Sequence, residues 1–136
     1  MYFFKERLYS ISSFRNGPDY YKEKTCLESL NASKIFVQNV LDMKSDIIDP
    51  IITPRFVPTC SRELMEGLGQ LAKEKNVRIQ THLSECRPEV AWVKELEPWA
   101  KHYTDVYGQT GILTDKTILA HGVYLSDEEL NSIKGS

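Results

Sequence analysis

The stretch that decides the fold is VRIQTHLSE, residues 77–85. Apolar side chains and a threonine alternate there with polar side chains, which is the two-residue period of a half-buried β-strand. The alternation ends just where His82 is followed, three residues later, by Glu85. An imidazole at a strand end can bind a metal, and a carboxylate one turn later can move protons. A polar strand end followed by a helix-starting glutamate explains the same nine residues equally well.

The chain around this strand alternates between strand-like and helix-like segments. Further strands are predicted at 47–53, where Pro50 favours a bulge or a strand start, and at 116–122, which ends in His121-Gly122. Helices are predicted at 20–43, 61–75, 88–96 and 98–107, and a last helix starts at Ser126 in capping-box register with Glu129. Ser61 is the predicted N-cap of the second helix, whose inward stripe should be Leu64, Met65, Leu68, Leu71 and Ala72.

This order predicts an α/β fold with parallel strands, because helical crossovers of this length join parallel neighbours. We expect a partial (β/α) barrel of three to four strands, although a doubly wound sheet fits the same order. Residues 1–15 read as a divergent or irregular arm, and residues 16–136 as the central portion of a barrel domain. A closed eight-stranded barrel needs roughly 200 residues or more. At 136 residues, this chain should leave sheet edges and one apolar sheet face uncovered.

The charge, the apolar runs and the cysteines of the chain argue against several classes of protein. The net charge of −2 gives no electrostatic case for nucleic acid, and no apolar run is long enough to span a membrane. Three cysteines, without CxxC spacing, favour a reducing and therefore cytoplasmic setting. The N-terminus lacks the apolar core of a secretory signal.

Four segments, one of them within the strand already described, carry a resemblance to a known family. These are PIITPRF (residues 50–56), QTHLSE (80–85) and LAHGVYLS (119–126), with YTDVY (103–107) between the last two. Together they resemble the guanine deaminases of the amidohydrolase superfamily, over about residues 16–133. The His-x-x-Glu and Ala-His-Gly patterns indicate only the superfamily. The TPRF and YTDVY segments narrow the resemblance to guanine deaminases.

The resemblance implies an aminohydrolase: a zinc (β/α)8 barrel that hydrolyses guanine to xanthine and ammonia in purine catabolism. It implies that His82 is a ligand of the single zinc ion. Glu85 would carry protons from water to the purine ring and leaving amine, and His121 would hydrogen-bond the attacking water. Arg55 and Phe56 would bind guanine through a polar edge and the ring face. A homodimer is implied for the complete protein.

One part of the family's pattern is missing. Its His-x-His zinc pair does not occur in this sequence, and its late aspartate would lie beyond Ser136. A catalytic zinc usually has three protein ligands, so the ligand set here is incomplete. We therefore expect the isolated chain to be inactive. Two alternatives stay open: a truncated product without catalysis, and another deaminase of the superfamily.

Simpler interpretations exist for single residues. Without the resemblance, Glu85 is a dipole-favoured early-helix acid, His121 a strand-end residue and Arg55 a surface charge. His102 should be an exposed helix residue. Cys60 and Cys86 lie near the expected site, but nothing supports a nucleophilic role for them.

Overall fold

The computed structural model describes residues 25–136. The predicted arm at 1–15 and the first part of the predicted helix 20–43 therefore lie outside the described residues. Of the residues described, no helix is both long and apolar enough to cross a membrane.

Helices and strands alternate along the described chain. Their bounds are α1 Cys26–Asp42, β1 Ile51–Ile52, α2 Arg62–Lys75, β2 Arg78–Leu83, α3 Arg87–Leu96, α4 Tyr103–Gln109, β3 Thr117–His121 and α5 Asp127–Lys134, with a 3₁₀ turn at Val57–Thr59.

The three strands form one parallel sheet in the order β1-β2-β3. Ile52 of β1 pairs with Ile79 of β2, and Leu83 of β2 pairs with His121 of β3. Helix α2 makes the first crossover, and α3 with α4 makes the second. The predicted parallel α/β arrangement is confirmed, and all three strands run toward the same edge of the sheet.

Local sequence signals set the helix ends. The Ser61 side chain accepts a hydrogen bond from the backbone N–H of Leu64, at 3.2 Å, and Asn76 ends α2 in a left-handed conformation with φ of 56°. The predicted capping box of Ser126 and Glu129 starts α5. Each cap satisfies backbone groups that have no partner inside a helix.

The core lies between the helices and one face of the sheet. The predicted inward stripe of α2 is buried in full, and Ile79 and Leu83 of β2 face it. The opposite face of the described sheet carries Gln80 and His82 beside Ile118, which is 52% exposed. Among residues 25–136 this face is therefore partly exposed, as expected, but it carries polar as well as apolar side chains.

The strand predicted at 47–53 is wrong at its start, because only Ile51 and Ile52 pair with β2. Ile47 is 91% exposed. The pairing of Ile51 with Arg78 gives the reason, since extending this register backwards would place Ile47 beside Glu74, which is still in α2. A strand cannot continue where its neighbour is a helix.

Two other expectations are wrong in detail. Helix α4 begins at Tyr103 rather than near 98, and Trp99 precedes it. His102 is the N-cap residue of α4, not an exposed helix residue, and its Nε2 atom is buried.

Candidate functional site

Functional side chains from β2 and β3 meet at the carboxyl edge of the sheet. The rings of His82 and His121 are stacked with their centroids 5.2 Å apart. The Nε2 atom of His121 lies 3.4 Å from the Oε2 atom of Glu85. The prediction that these three side chains converge is confirmed, and their chemical roles stay predictions.

Backbone conformation, rather than strand alternation, aims His121 at this point. Paired residues of parallel strands point to the same face, and the partner of His121 is the fully buried Leu83. His121 instead has φ of 74° and an exposed side chain that reaches His82. Ser84, between His82 and Glu85, also has a positive φ of 50°. Such left-handed non-glycine residues cost about 1–3 kcal/mol each and cluster at functional sites.

The orientation of the His82 ring is fixed by one backbone carbonyl. The oxygen of Arg55 accepts from the backbone N–H of His82, at 3.0 Å, and lies 2.9 Å from the ring atom Nδ1. A carbonyl oxygen can only accept, so Nδ1 carries the proton and Nε2 keeps its lone pair. Histidines that bind metals hold their second nitrogen in this way. His82 is therefore prepared to act as a ligand through Nε2.

The side chain of Arg55 lies on the same loop as Phe56. Its guanidinium carbon is 5.4 Å from the centroid of the Phe56 ring, within cation–π range. Arg55 is exposed and Phe56 is half-buried, so both can still contact a ligand. The hydrogen bond between the Arg55 carbonyl and His82 thus connects the loop of Arg55 and Phe56, the expected base-binding residues, to the end of β2.

The residues present fit a zinc ion only in part. Residues 25–136 contain no group of three or more His, Cys, Asp and Glu side chains that could hold a metal. His82 offers one suitable nitrogen, whereas catalytic zinc sites usually have three protein ligands. The described part of the chain therefore offers one candidate ligand and not a complete zinc site.

Sequence reasoning missed the groups that hold these side chains in place. The backbone N–H of Glu85 donates to Oε2 of the buried Glu89, at 3.1 Å. Glu89 occupies the third position of α3, where glutamate commonly reaches back to a preceding N–H, and this was the available signal. The Tyr107 hydroxyl donates to the carbonyl of His82, at 2.7 Å, a contact 25 residues apart that no local pattern indicates.

The part of the chain that contains these side chains matches a known protein family. A sequence model of the amidohydrolase family matches residues 12–136. The chain belongs to the amidohydrolase family. As predicted, its three parallel strands and their helices are a portion of this family's barrel.

Similar members of the amidohydrolase family are guanine deaminases. The Dictyostelium discoideum guanine deaminase is 46% identical over 119 residues, which are 88% of this chain and 26% of that protein. The human guanine deaminase is 49% identical over 111 residues, or 82% of this chain and 24% of that protein. The chain therefore spans about a quarter of the length of these relatives.

A solved structure is similar over the same span. The guanine deaminase of C. acetobutylicum, determined with guanine bound in its active site, superposes with a TM-score of 0.83 at 43% identity. The match covers 89% of this chain and 29% of that chain.

Proposed function

We propose that the complete protein containing this chain is a guanine deaminase that hydrolyses guanine to xanthine and ammonia with one zinc ion. Its relatives with this name are up to 49% identical over more than four fifths of the chain. The TPRF and YTDVY segments that narrowed the sequence resemblance lie within the matched span. Among members of the amidohydrolase family, the proposal therefore selects the guanine deaminases.

The observation that carries the proposal is the convergence of a proton-carrying group with a metal-binding group. Glu85 lies 3.4 Å from His121, whose ring stacks on His82. A general base has to lie within about 3 Å of the water that it deprotonates. A water molecule bound near the Nε2 atom of His82 would therefore lie close to the side chains of both Glu85 and His121.

The base would be recognised by Arg55 and Phe56. The planar guanidinium can donate to the carbonyl and ring nitrogen at one edge of guanine, and the Phe56 ring can contact a face of the base. Both residues follow β1 directly, on the loop whose carbonyl holds His82. Recognition and chemistry would then share one backbone segment.

Glu85 would move the protons of the reaction. Water adds to C2 of guanine, and Glu85 takes one of its protons and gives it to a ring nitrogen. Glu85 then moves the remaining proton of the added hydroxyl to the exocyclic amine. The bond from C2 to that amine breaks, ammonia leaves and the new C2–O bond becomes the carbonyl of xanthine. His121 would orient the water during the attack through its Nε2 atom.

Zinc, when bound, would lower the pKa of its water molecule far below the value in bulk water, to about 7. In the proposal His82 holds it through Nε2, and the other ligands come from outside residues 25–136. A homodimer and a cytoplasmic location stay predictions.

The test is an assay of the full-length protein, loaded with zinc, for conversion of guanine to xanthine. Glu85→Gln removes the proton carrier at constant size, and kcat should fall by about 10²- to 10⁴-fold, the usual contribution of general acid–base catalysis. Glu95→Gln is the matched control, because Glu95 is an exposed glutamate of the neighbouring helix α3. Equal turnover of the two variants would contradict the role of Glu85.

The absence of a three-ligand group from residues 25–136 favours a second possibility, a product of this chain alone without catalysis. Purified with zinc, the 136-residue chain should then form no xanthine, whereas robust turnover would exclude this possibility. Another deaminase activity is separated by offering the full-length protein guanine, adenine and cytosine in parallel. Preference for adenine or cytosine would contradict the proposed substrate.

A further inference from the structure

The carbonyl group of His82 lies where the β1–β2 ladder stops. In a parallel ladder a residue donates its N–H and accepts at its C=O from the same neighbouring strand. The N–H of His82 reaches the Arg55 carbonyl, at 3.0 Å, on the β1 side. The chain then turns into the 3₁₀ turn Val57–Thr59, so the strand no longer runs beside the His82 carbonyl. A buried carbonyl left without a donor would be costly.

Tyr107 of α4 takes the place of the missing ladder donor. Its hydroxyl lies 2.7 Å from the carbonyl oxygen of His82. The side chain is fully buried, and its ring centroid is 5.4 Å from that of Tyr103. Since a carbonyl oxygen can only accept, the Tyr107 hydroxyl is the donor in this hydrogen bond.

A count of protons sets the direction of each hydrogen bond. The Arg55 carbonyl has two lone pairs, and His82 already occupies both through its backbone N–H and Nδ1. The Thr81 hydroxyl lies 3.2 Å from that carbonyl and 3.0 Å from the Tyr107 hydroxyl. The one proton of Tyr107 goes to the His82 carbonyl, so in the shorter contact between the two hydroxyls Thr81 donates and Tyr107 accepts. The backbone N–H, the backbone carbonyl and the Nδ1 atom of His82 then each have a hydrogen-bond partner.

We propose that Tyr107 is a positioning residue whose buried hydroxyl fixes the His82 backbone by a hydrogen bond to its carbonyl. With the backbone fixed, the Arg55 carbonyl can accept from Nδ1 of His82, and Nε2 is directed at the site. The proposal rests on the proposed function, in which His82 is a metal ligand. It also gives a role to the last residue of YTDVY, a segment that the catalytic proposal does not use. Tyr107 acts on the ligand and touches neither metal nor substrate.

The test uses the full-length protein with Tyr107→Phe, which removes the hydroxyl and keeps the ring. Tyr103→Phe is the matched control, because Tyr103 is also buried in α4 and its hydroxyl makes no hydrogen bond to His82 or Arg55. The first measurement is the NMR spectrum of selectively labelled histidine imidazoles in the metal-free protein. The second is zinc affinity, from competition with a chromogenic chelator.

In the wild type and in Y103F, the neutral His82 ring should carry its proton on Nδ1. In Y107F the two tautomers should mix, which moves the Nδ1 and Nε2 signals toward each other. Zinc affinity should fall about tenfold in Y107F, the lower end of the effect of losing a group that orients a ligand, and should be unchanged in Y103F. A merely structural role would lower the stability of both variants without this difference.

Unchanged His82 signals in a folded Y107F protein would overturn the proposal, as would shifted signals with unchanged zinc affinity. If Y107F does not fold, Thr81→Val decides, because it removes the hydroxyl that donates to Tyr107 at nearly constant volume. T81V should shift the His82 signals in the same direction by a smaller amount, and no shift would overturn the proposal. Failure of the wild type to hydrolyse guanine counts against the proposed function alone, since the ring signals are read without metal or substrate.

Discussion

Two glycines in the middle of α2, Gly67 and Gly69, should respond differently to substitution by alanine. A Cβ atom added at Gly69 would lie 2.6 Å from the carbonyl oxygen of Thr110, and 2.8 Å and 2.9 Å from the carbonyl oxygen and carbon of Gly111. These are backbone atoms of the turn that leads into β3, so they cannot rotate away. A Cβ at Gly67 would meet only the side chain of Leu30, 2.6 Å from its nearest methyl.

The magnitudes follow from these contacts. Gly→Ala inside a helix gains about 1 kcal/mol of helix propensity at either position. At Gly69 the forced backbone shift costs about 1–3 kcal/mol, as overpacking does elsewhere, so G69A should be neutral to destabilising. At Gly67 the partly exposed Leu30 side chain can change rotamer, so G67A should be neutral to stabilising. The propensity gain cancels in the comparison, which leaves G69A about 1–3 kcal/mol less stable than G67A.

The assay is urea unfolding of both variants and the wild type in the full-length protein, followed by circular dichroism. The free energy of unfolding should be higher for G67A than for G69A. The wild-type value should lie between them or close to one of them. Equal values for the two variants would refute the close approach of α2 to the turn before β3. A lower value for G67A would refute the claim that Leu30 yields more easily than a backbone.

Three other substitutions test separate parts of the molecule. Arg55→Lys replaces a planar fork of donors by a point charge. It should weaken base recognition by about 1.5–3 kcal/mol and raise the KM for guanine about 10- to 150-fold in steady-state kinetics. An unchanged KM would contradict contact with the base. His121→Asn should lower kcat with little change in KM, since His121 is proposed to orient water, and a rise in KM alone would contradict that role. Ser126→Ala should cost about 1 kcal/mol in thermal unfolding through loss of the α5 cap, whereas Ser132→Ala, which removes an exposed hydroxyl inside α5, should cost less; equal losses would contradict the capping box.

The sequence predicted the elements whose signals are local. Alternation from residue 77 to 83 predicts β2, and Ser61 and Ser126 mark the starts of α2 and α5, because a cap acts within one helical turn. The same reasoning failed at Ile47, where an apolar, β-branched segment looked like a strand. Whether such a segment pairs depends on its neighbour, and the residues beside it still belong to a helix.

The sequence by itself also named the site residues, through their positions after strands and the family resemblance. Only the tertiary structure decided how they are held together. The parallel pairing of β2 with β3 and the left-handed φ of His121 bring its ring onto His82. The Arg55 carbonyl contacts His82, and the Thr81 hydroxyl, 26 positions further along the chain, lies between that carbonyl and Tyr107. The physical reason is that these hydrogen bonds join segments that are distant in the chain. Sequence periodicity predicts which face of an element a residue occupies, but not which residues it contacts.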